Sequence, residues 1–359
     1  MSYYVDLLTL PSPTRHHAAK EHPMIDYPNA PQTNSADKPV GDDMILPFQL
    51  DRAGMRGRVA RLDATLDTIL TQHNYPPAVG ALVAEAVLLT ALIGQAVKLR
   101  WRFSLQIRGA GPVRLIATDY FAPEEPGMPG EIRAFASYDE EAVAQAQGDA
   151  FDLLGEGVFG VTIDQGPDMS PYQGVTPLTG DSLSACAETY FAQSEQLATR
   201  FMIEAAQEMS TGGTQQWRAG GVMIQQLPGE GGHTPDAPSG EDGLMTGDDI
   251  AVIGDREEDW SRVAILLSTV ETIELIGPHV SPENLLIRLF HEEGPRVYEP
   301  QAIAFGCTCS ADRVRDALAD YSAEDLSDMV TENGDIVADC QFCGAHYSFG
   351  TSELGTGPA

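Results

Sequence analysis

Four of the five cysteines of this chain fall in its last fifth, as Cys307-Thr308-Cys309 and Cys340-Gln341-Phe342-Cys343. Thirty residues separate the two pairs (340 − 309 − 1). Each pair can supply two thiolates from one turn, and the intervening segment can fold back to close a four-coordinate site. Four thiolates complete a tetrahedron and leave no position open for substrate water. Gly344, directly after the last cysteine, permits the tight turn such a site needs. The expected metal is one Zn²⁺, held by Cys307, Cys309, Cys340 and Cys343.

The remaining composition bounds what such a site can serve. At 359 residues with 43% apolar content, the chain can hold two domains. Lys and Arg number 21 against 53 Asp and Glu, a formal charge of −32. That surface repels nucleic-acid phosphates and anionic lipid, so no nucleic-acid or membrane partner is expected. Few, clustered cysteines suit a reducing compartment, hence a cytoplasmic protein, and the first residues lack the pattern of a secretory signal. The stretch Ala78–Val97 is long and apolar enough to span a bilayer, but Glu85 and Gln95 interrupt it. It reads as a buried core helix.

Along the chain, residues 1–43 are rich in Pro, Asn, Ser and Asp without periodicity, as in a disordered extension. Residues 44–227 read as a mixed helix and sheet core domain of the α+β class. Val59, Leu62, Leu66, Ile69 and Leu70 predict a helix over Arg58–Thr71, and Pro76-Pro77 opens the long apolar helix. Strands are expected near 103–107, 113–118, 132–136, 158–163, 199–204 and 222–227, with a helix from Asp181 to Gln193. Residues 228–250 form an acidic Gly/Pro/Asp-rich loop. Over 251–300 a helical linker carries Trp260, Val263, Ala264, Leu267 and Val270 at helical spacing. Ser281-Pro282 then caps a helix bearing Leu285, Leu286, Leu289 and Phe290. The cysteine domain follows at 301–350, and residues 351–359 are a polar tail.

Other motifs do not carry chemistry. Gly155-Glu156-Gly157-Val158-Phe159-Gly160 matches the dinucleotide pattern, but strand-like residues follow it where a helix N-terminus is required. Cys186 reads as a small buried residue of a helix, and His346 as packing or support beside a complete thiolate set. No catalytic residue is identified, and the chain is not expected to be an enzyme.

The cysteine segment is poor in other stabilisation, its apolar residues being few and its acidic ones many. Structural zinc contributes about 10–16 kcal/mol in small domains, more than a whole domain's net stability. Losing the thiolates to oxidation would therefore unfold the module, which makes it a switch with an oxidant as input. Three readings remain open at this point besides a purely structural staple. They are a redox switch, a dithiol oxidoreductase using Cys340-Gln341-Phe342-Cys343, and a zinc-ribbon nucleic-acid binder. The second lacks a βαβ setting and the third a basic patch.

The segments Phe305-Gly306-Cys307-Thr308-Cys309-Ser310, Gly334-Asp335-Ile336 and Cys340-Gln341-Phe342-Cys343-Gly344-Ala345-His346-Tyr347 closely resemble the redox-regulated 33 kDa chaperonin family of bacteria. The resemblance continues through Tyr172–Val175, Gly180–Leu183, Tyr190–Gln196 and Arg288–Glu293, and covers about residues 45–350. It implies a redox-regulated, ATP-independent chaperone, a holdase of the stress response that is zinc-bound and inactive when reduced. On oxidation, disulfides are expected between Cys307 and Cys309 and between Cys340 and Cys343. Zinc leaves, the metastable linker unfolds, and unfolding client proteins are bound before aggregation. A homodimer in the oxidised state and transfer of clients to ATP-dependent foldases are also implied. Trp260, Leu267, Leu286 and Phe290 of the linker stripe are the candidate adhesive residues. The family core lacks the extension at 1–43, and the acidic loop at 228–250 looks longer than is usual there.

Overall fold

The structure is a computed structural model that describes residues 42–209, 215–227, 247–319, 321–331 and 333–350. The extension expected over residues 1–43 (save Asp42 and Asp43), the acidic loop up to residue 246 and the tail at 351–359 lie outside the described residues.

The chain opens with a hairpin, β1 (Met44–Leu50) and β2 (Met55–Leu62), followed by α1 (Ala64–Thr71) and α2 (Pro77–Ala96). A meander of β3 (Arg102–Gly109), β4 (Val113–Phe121) and β5 (Gly130–Tyr138) leads through the short helix α3 (Glu140–Gln145). Next come β6 (Gly157–Asp164), β7 (Tyr172–Pro177), α4 (Leu183–Tyr190), β8 (Thr199–Met209) and β9 (Gln215–Gln226). The linker forms α5 (Gly247–Leu267), α6 (Thr272–Ile276) and α7 (Pro282–Phe290). The C-terminal part holds β10 (Pro295–Val297), β11 (Gln301–Phe305), α8 (Ala311–Ala319), α9 (Ala323–Asp328), β12 (Asp335–Asp339) and β13 (His346–Gly350).

One mixed sheet runs in the order β7-β6-β3-β4-β5-β11-β1-β2-β9-β8, with β10 also on β1, and β12 pairs with β13 in a separate hairpin. β11 pairs antiparallel with β1 and parallel with β5, so it joins the two halves of the sheet. Residues 301–305, which the sequence places in the cysteine segment, are thus a central strand of the core sheet.

Side-chain alternation divides the sheet into two faces. Ile45, Ala60, Leu62, Ile116, Ile132, Ala134 and Met223 face the core around α2. Fourteen of the twenty residues of α2 are buried there, which accounts for a helix that is apolar all round without invoking a bilayer. Met44, Leu46, Phe48, Leu50, Met55, Val59, Val222 and Ile224 point the other way and are covered by the linker helices.

The helix expected over Arg58–Thr71 is corrected: residues 58–62 belong to strand β2, and the helix starts at Ala64. Strand β2 is buried on both sides, so it shows no clean apolar/polar alternation. Its arginines find partners outside the strand, Arg58 donating to the Gln95 side chain and Arg61 to carbonyls of α6. Tertiary partners hide the strand pattern. Ser182, and not Asp181, caps α4, accepting from the Ala185 amide, and the helix gives way to a wider turn at Phe191–Glu195. Helix α5 begins at Gly247, so the last residues assigned to the acidic loop are its first turn. Ser281 and Pro282 take the cap and first position of α7 as expected.

Glu85 lies in the wall of α2 among apolar residues, and its pKa is pushed up from 4.5 to about 7, by burial first and then by Glu204. Folding therefore favours the protonated form. The stability this group contributes is complete below about pH 4.5 and is lost as pH rises through about 7. Glu85→Gln should flatten that part of the curve and stabilise the protein at pH 8 by at most about 3 kcal/mol. Urea unfolding at pH 5 and pH 8 checks this; equal midpoint shifts at both pH values would contradict it.

Candidate metal centre and the covered sheet face

The first cysteine pair follows directly from β11. Gly306 ends the strand by bonding its amide to the Ile132 carbonyl of β5 (3.2 Å), and Cys307-Thr308-Cys309 leaves the sheet beside β5. Ser310 then opens α8, its hydroxyl accepting from the Arg313 amide and its carbonyl from that of Val314. The second pair occupies the turn between β12 and β13. The turn closes through Gly344 N–H to Cys340 O and Cys340 N–H to Ala345 O, both 2.8 Å. Gly344 adopts φ +67°, a left-handed conformation that favours glycine.

These two loops bring all four sulfurs within 4.8 Å of one another. Cys307 Sγ lies 3.7 Å from Cys340 Sγ, and Cys309 Sγ lies 3.3 Å from Cys343 Sγ. A tetrahedral ion with metal–sulfur bonds near 2.3 Å, as for zinc, requires sulfur–sulfur edges of about 3.8 Å. The four sulfurs can hold such an ion. An all-sulfur set suits a soft or borderline ion rather than calcium or magnesium. Both of these contacts run between the two pairs. A tetrahedron makes all six edges alike, so this geometry does not select a disulfide pairing.

The sulfurs also share charge. Hydrogen bonds from Cys309, Cys340 and Cys343, with Arg133 nearby, hold the Cys307 thiol far below its ordinary range. Cys309 is opposed by Cys307 but supported by Cys340 and Cys343, and comes down to about 7. Cys340 and Cys343 are raised, chiefly because Cys307 holds the negative charge. A bound cation removes that competition and displaces the remaining protons. The Tyr347 hydroxyl donates to Cys309 Sγ at 3.1 Å.

His346 is exposed and lies 2.6 Å from Asp339 across the β12–β13 hairpin, away from the sulfurs. Cys186 is buried in α4 and donates to the Thr179 carbonyl, with burial pushing its thiol up. The Gly155–Gly160 motif leads into β6 and not into a helix. Cys340-Gln341-Phe342-Cys343 sits in a hairpin turn, without the helix N-terminus that activates a thioredoxin-like dithiol.

The module and the linker cover the same face of the sheet. Phe342, between the last two cysteines, packs edge-on against Phe135 of β5 with ring centroids 4.9 Å apart, alongside Ala117 of β4. Over the other half of that face, Leu267, Leu286 and Phe290 are buried against β1, β2 and β9, with Trp260 partly buried at the margin. The rings of Phe48 and Phe290 stack at 6.2 Å.

Sequence reasoning did not find the polar groups that fasten these coverings. Arg61 donates to the Leu275 and Glu274 carbonyls (3.0 and 2.7 Å), and Arg218 to the Ile276 carbonyl (3.2 Å). Two buried cations therefore meet the negative end of α6. Arg218 also holds Asp42 and Asp63. On the module side, His73 Nε2 lies 3.3 Å from the Phe342 carbonyl, and Arg133 and Asp119 form a buried ion pair at 2.7 Å. The one signal in the sequence was arginine flanked by apolar residues, as in Ile132-Arg133-Ala134 and Ala60-Arg61-Leu62.

Residues 43–350 match the family model described as Hsp33 protein. The 33 kDa chaperonin of Caulobacter vibrioides (strain NA1000 / CB15N) is 39% identical over 316 residues, spanning 87% of this chain and 96% of that protein. That of Nitrosococcus oceani is 30% identical over 307 residues, 86% of this chain and 91% of the relative. The crystal structure of the 33 kDa chaperonin from Thermotoga maritima superposes with a TM-score of 0.67 at 19% identity, covering 87% and 97% of the two chains. The chain is therefore a chaperonin relative with an α+β fold and a four-cysteine C-terminal module. It belongs to the Hsp33 family.

Gly220 of β9 lets α6 approach this closely: a Cβ there would lie 2.0 Å from the Leu275 carbonyl oxygen. Gly220→Ala should lift α6 from the sheet and expose the apolar face. Binding of a hydrophobic dye by the reduced protein is expected to rise several-fold, with the sulfurs still holding metal; unchanged dye binding would refute this.

Proposed function

We propose that the protein is a redox-regulated, ATP-independent holdase whose client-binding surface is the sheet face now covered by the linker and the cysteine module. The observation that carries the reading is that one sheet face, apolar over β1, β2 and β9, is covered by helices that are joined to the thiol cluster through β10 and the core strand β11. Zinc, when bound, cross-links Cys307, Cys309, Cys340 and Cys343 and keeps them as thiolates. The reduced form is inactive because this cross-link keeps the face covered.

Activation is the conversion of two dithiols to disulfides, Cys307 with Cys309 and Cys340 with Cys343. With hydrogen peroxide as oxidant, one sulfur of a pair attacks the peroxide, the O–O bond breaks, and a sulfenic acid forms. The partner sulfur displaces its oxygen as water. Each dithiol thus gives two electrons to one peroxide as it becomes a disulfide, and the peroxide leaves as two waters after taking up protons. The disulfide sulfurs are poor donors, so the ion is lost and the module loses most of its stabilisation. The linker then unfolds. Trp260, Leu267, Leu286 and Phe290, together with the uncovered face, bind the apolar segments of unfolding clients.

The −32 charge keeps client complexes soluble and opposes nucleic-acid and membrane partners. A cytoplasmic setting, a homodimer when oxidised, hand-over to ATP-dependent foldases, and the absence of catalysis complete the proposal.

Zinc release to an indicator dye, run beside light scattering of a denaturing client during peroxide treatment at elevated temperature, tests it. About one zinc per chain should leave as aggregation is suppressed. Zinc loss without suppression would reduce the cluster to a structural staple. Cys340→Ser paired with Cys343→Ser should lose metal and suppress aggregation without oxidant.

A further inference from the structure

We propose that Arg133 is the latch that docks the cysteine module on the core sheet, a positioning residue that engages both cysteine segments at once. The inference deepens the redox-switch reading and rests on it for its regulatory meaning.

Arg133 stands on β5, on the face beneath the module, and is only 6% exposed. Its Nε and Nη2 both reach Asp119 Oδ2, at 2.8 and 2.7 Å, and the Ser104 hydroxyl donates to the same carboxylate. That would satisfy an ordinary cross-strand ion pair between β4 and β5. The guanidinium also lies 5.2 Å from the Phe121 ring of β4, and its remaining edge faces the module. Nη1 donates to Thr308 Oγ1 at 3.2 Å and lies 3.8 Å from Cys307 Sγ. The guanidinium carbon sits 3.9 Å from the centroid of the Phe342 ring. One core side chain therefore touches the residues beside both cysteine pairs, although more than thirty residues part Thr308 from Phe342.

The chemistry requires arginine. Only a planar fork can meet a carboxylate along one edge, a hydroxyl and a sulfur at the other, and an aromatic ring with its face. Lysine keeps the charge but has a single nitrogen and no planar face. Phe135 and Ala117 offer apolar surface to the module, clustering with Cys340 and Phe342 while Cys307 and Cys309 pack at the margin, but they supply no hydrogen-bond donor and no charge. Arg133 adds directional contacts, a donor to Thr308 and a cation on the Phe342 ring. Its contacts are complete only while the two segments are held together, so displacement of either segment weakens the hold on the other.

The test uses the full-length, reduced, zinc-loaded protein and four forms: unchanged, Arg133→Lys, Phe342→Leu and the double variant. Amide hydrogen exchange across residues 340–345 and zinc transfer to a chelating dye are measured at neutral pH without oxidant. Each single variant should accelerate both by on the order of ten-fold, as expected for a desolvated cation–π contact. The double variant should be little faster than either single, because both remove one shared contact. Phe342→Leu leaves the Arg133–Asp119 pair untouched, so it reports on the latch even if Arg133→Lys perturbs the core. The proposal is overturned if Arg133→Lys leaves exchange across 340–345 unchanged, if the two effects add, or if β4 and β5 lose protection together with the module. No client is involved: a failed aggregation assay would remove the holdase reading and leave this coupling to stand or fall by itself.

Discussion

Strand β11 is the structural seam on which the molecule depends. Residues 301–305 hydrogen-bond to β1 on one side and β5 on the other, and without them the sheet is two separate halves. The strand comes from the end of the chain and runs within two residues of Cys307. Completion of the core sheet and placement of the first cysteine pair are therefore one event. Parallel pairing of β11 with β5 fixes where Cys307 leaves the sheet, and this sets the module over Phe135, Arg133 and Ala117.

The two faces of that sheet have different kinds of cover. On one side α2 is apolar over most of its circumference and largely buried, and it is continuous in sequence with the strands it packs on. On the other side the linker helices and the cysteine module supply the cover, and polar groups determine how they sit. Arg61 and Arg218 hold the carbonyl end of α6, while Arg133 and His73 meet the module. Buried cations used this way give orientation more than stability, since each carries a desolvation cost that its partners must offset. The cover is thus fastened by a few directional contacts beside one four-sulfur cluster.

The Hsp33 family membership and the sulfur geometry agree on the class of protein, and they do so by independent routes. Sequence likeness spans nearly the whole described chain. The fold shows that the two cysteine pairs, thirty residues apart in the chain, converge within 4.8 Å at a strand exit and a hairpin turn. The same fold separates what the cysteines do from what the core does: Cys186 is packing in α4, remote in kind from the clustered thiols.

The cysteine spacing, the apolar length of α2 and the Ser281-Pro282 helix start were all legible in the chain alone. Each depends on local geometry: two ligands per turn, a continuous apolar run, a capping side chain with proline after it. Strand β2 was not legible, because its arginines and glycine find their partners on α2, β9 and α6, and a strand buried on both faces loses the two-residue rhythm. Nor was the placement of residues 301–305 in the core sheet, since strand pairing over more than 160 residues leaves no local mark. The sequence by itself determined the paired cysteines and the apolar stripe of residues 251–300, because these are properties of neighbouring residues. Only the tertiary structure decided that linker and module share one sheet face and that Arg133 touches both cysteine segments, because burial and long-range pairing exist only once the chain has closed on itself.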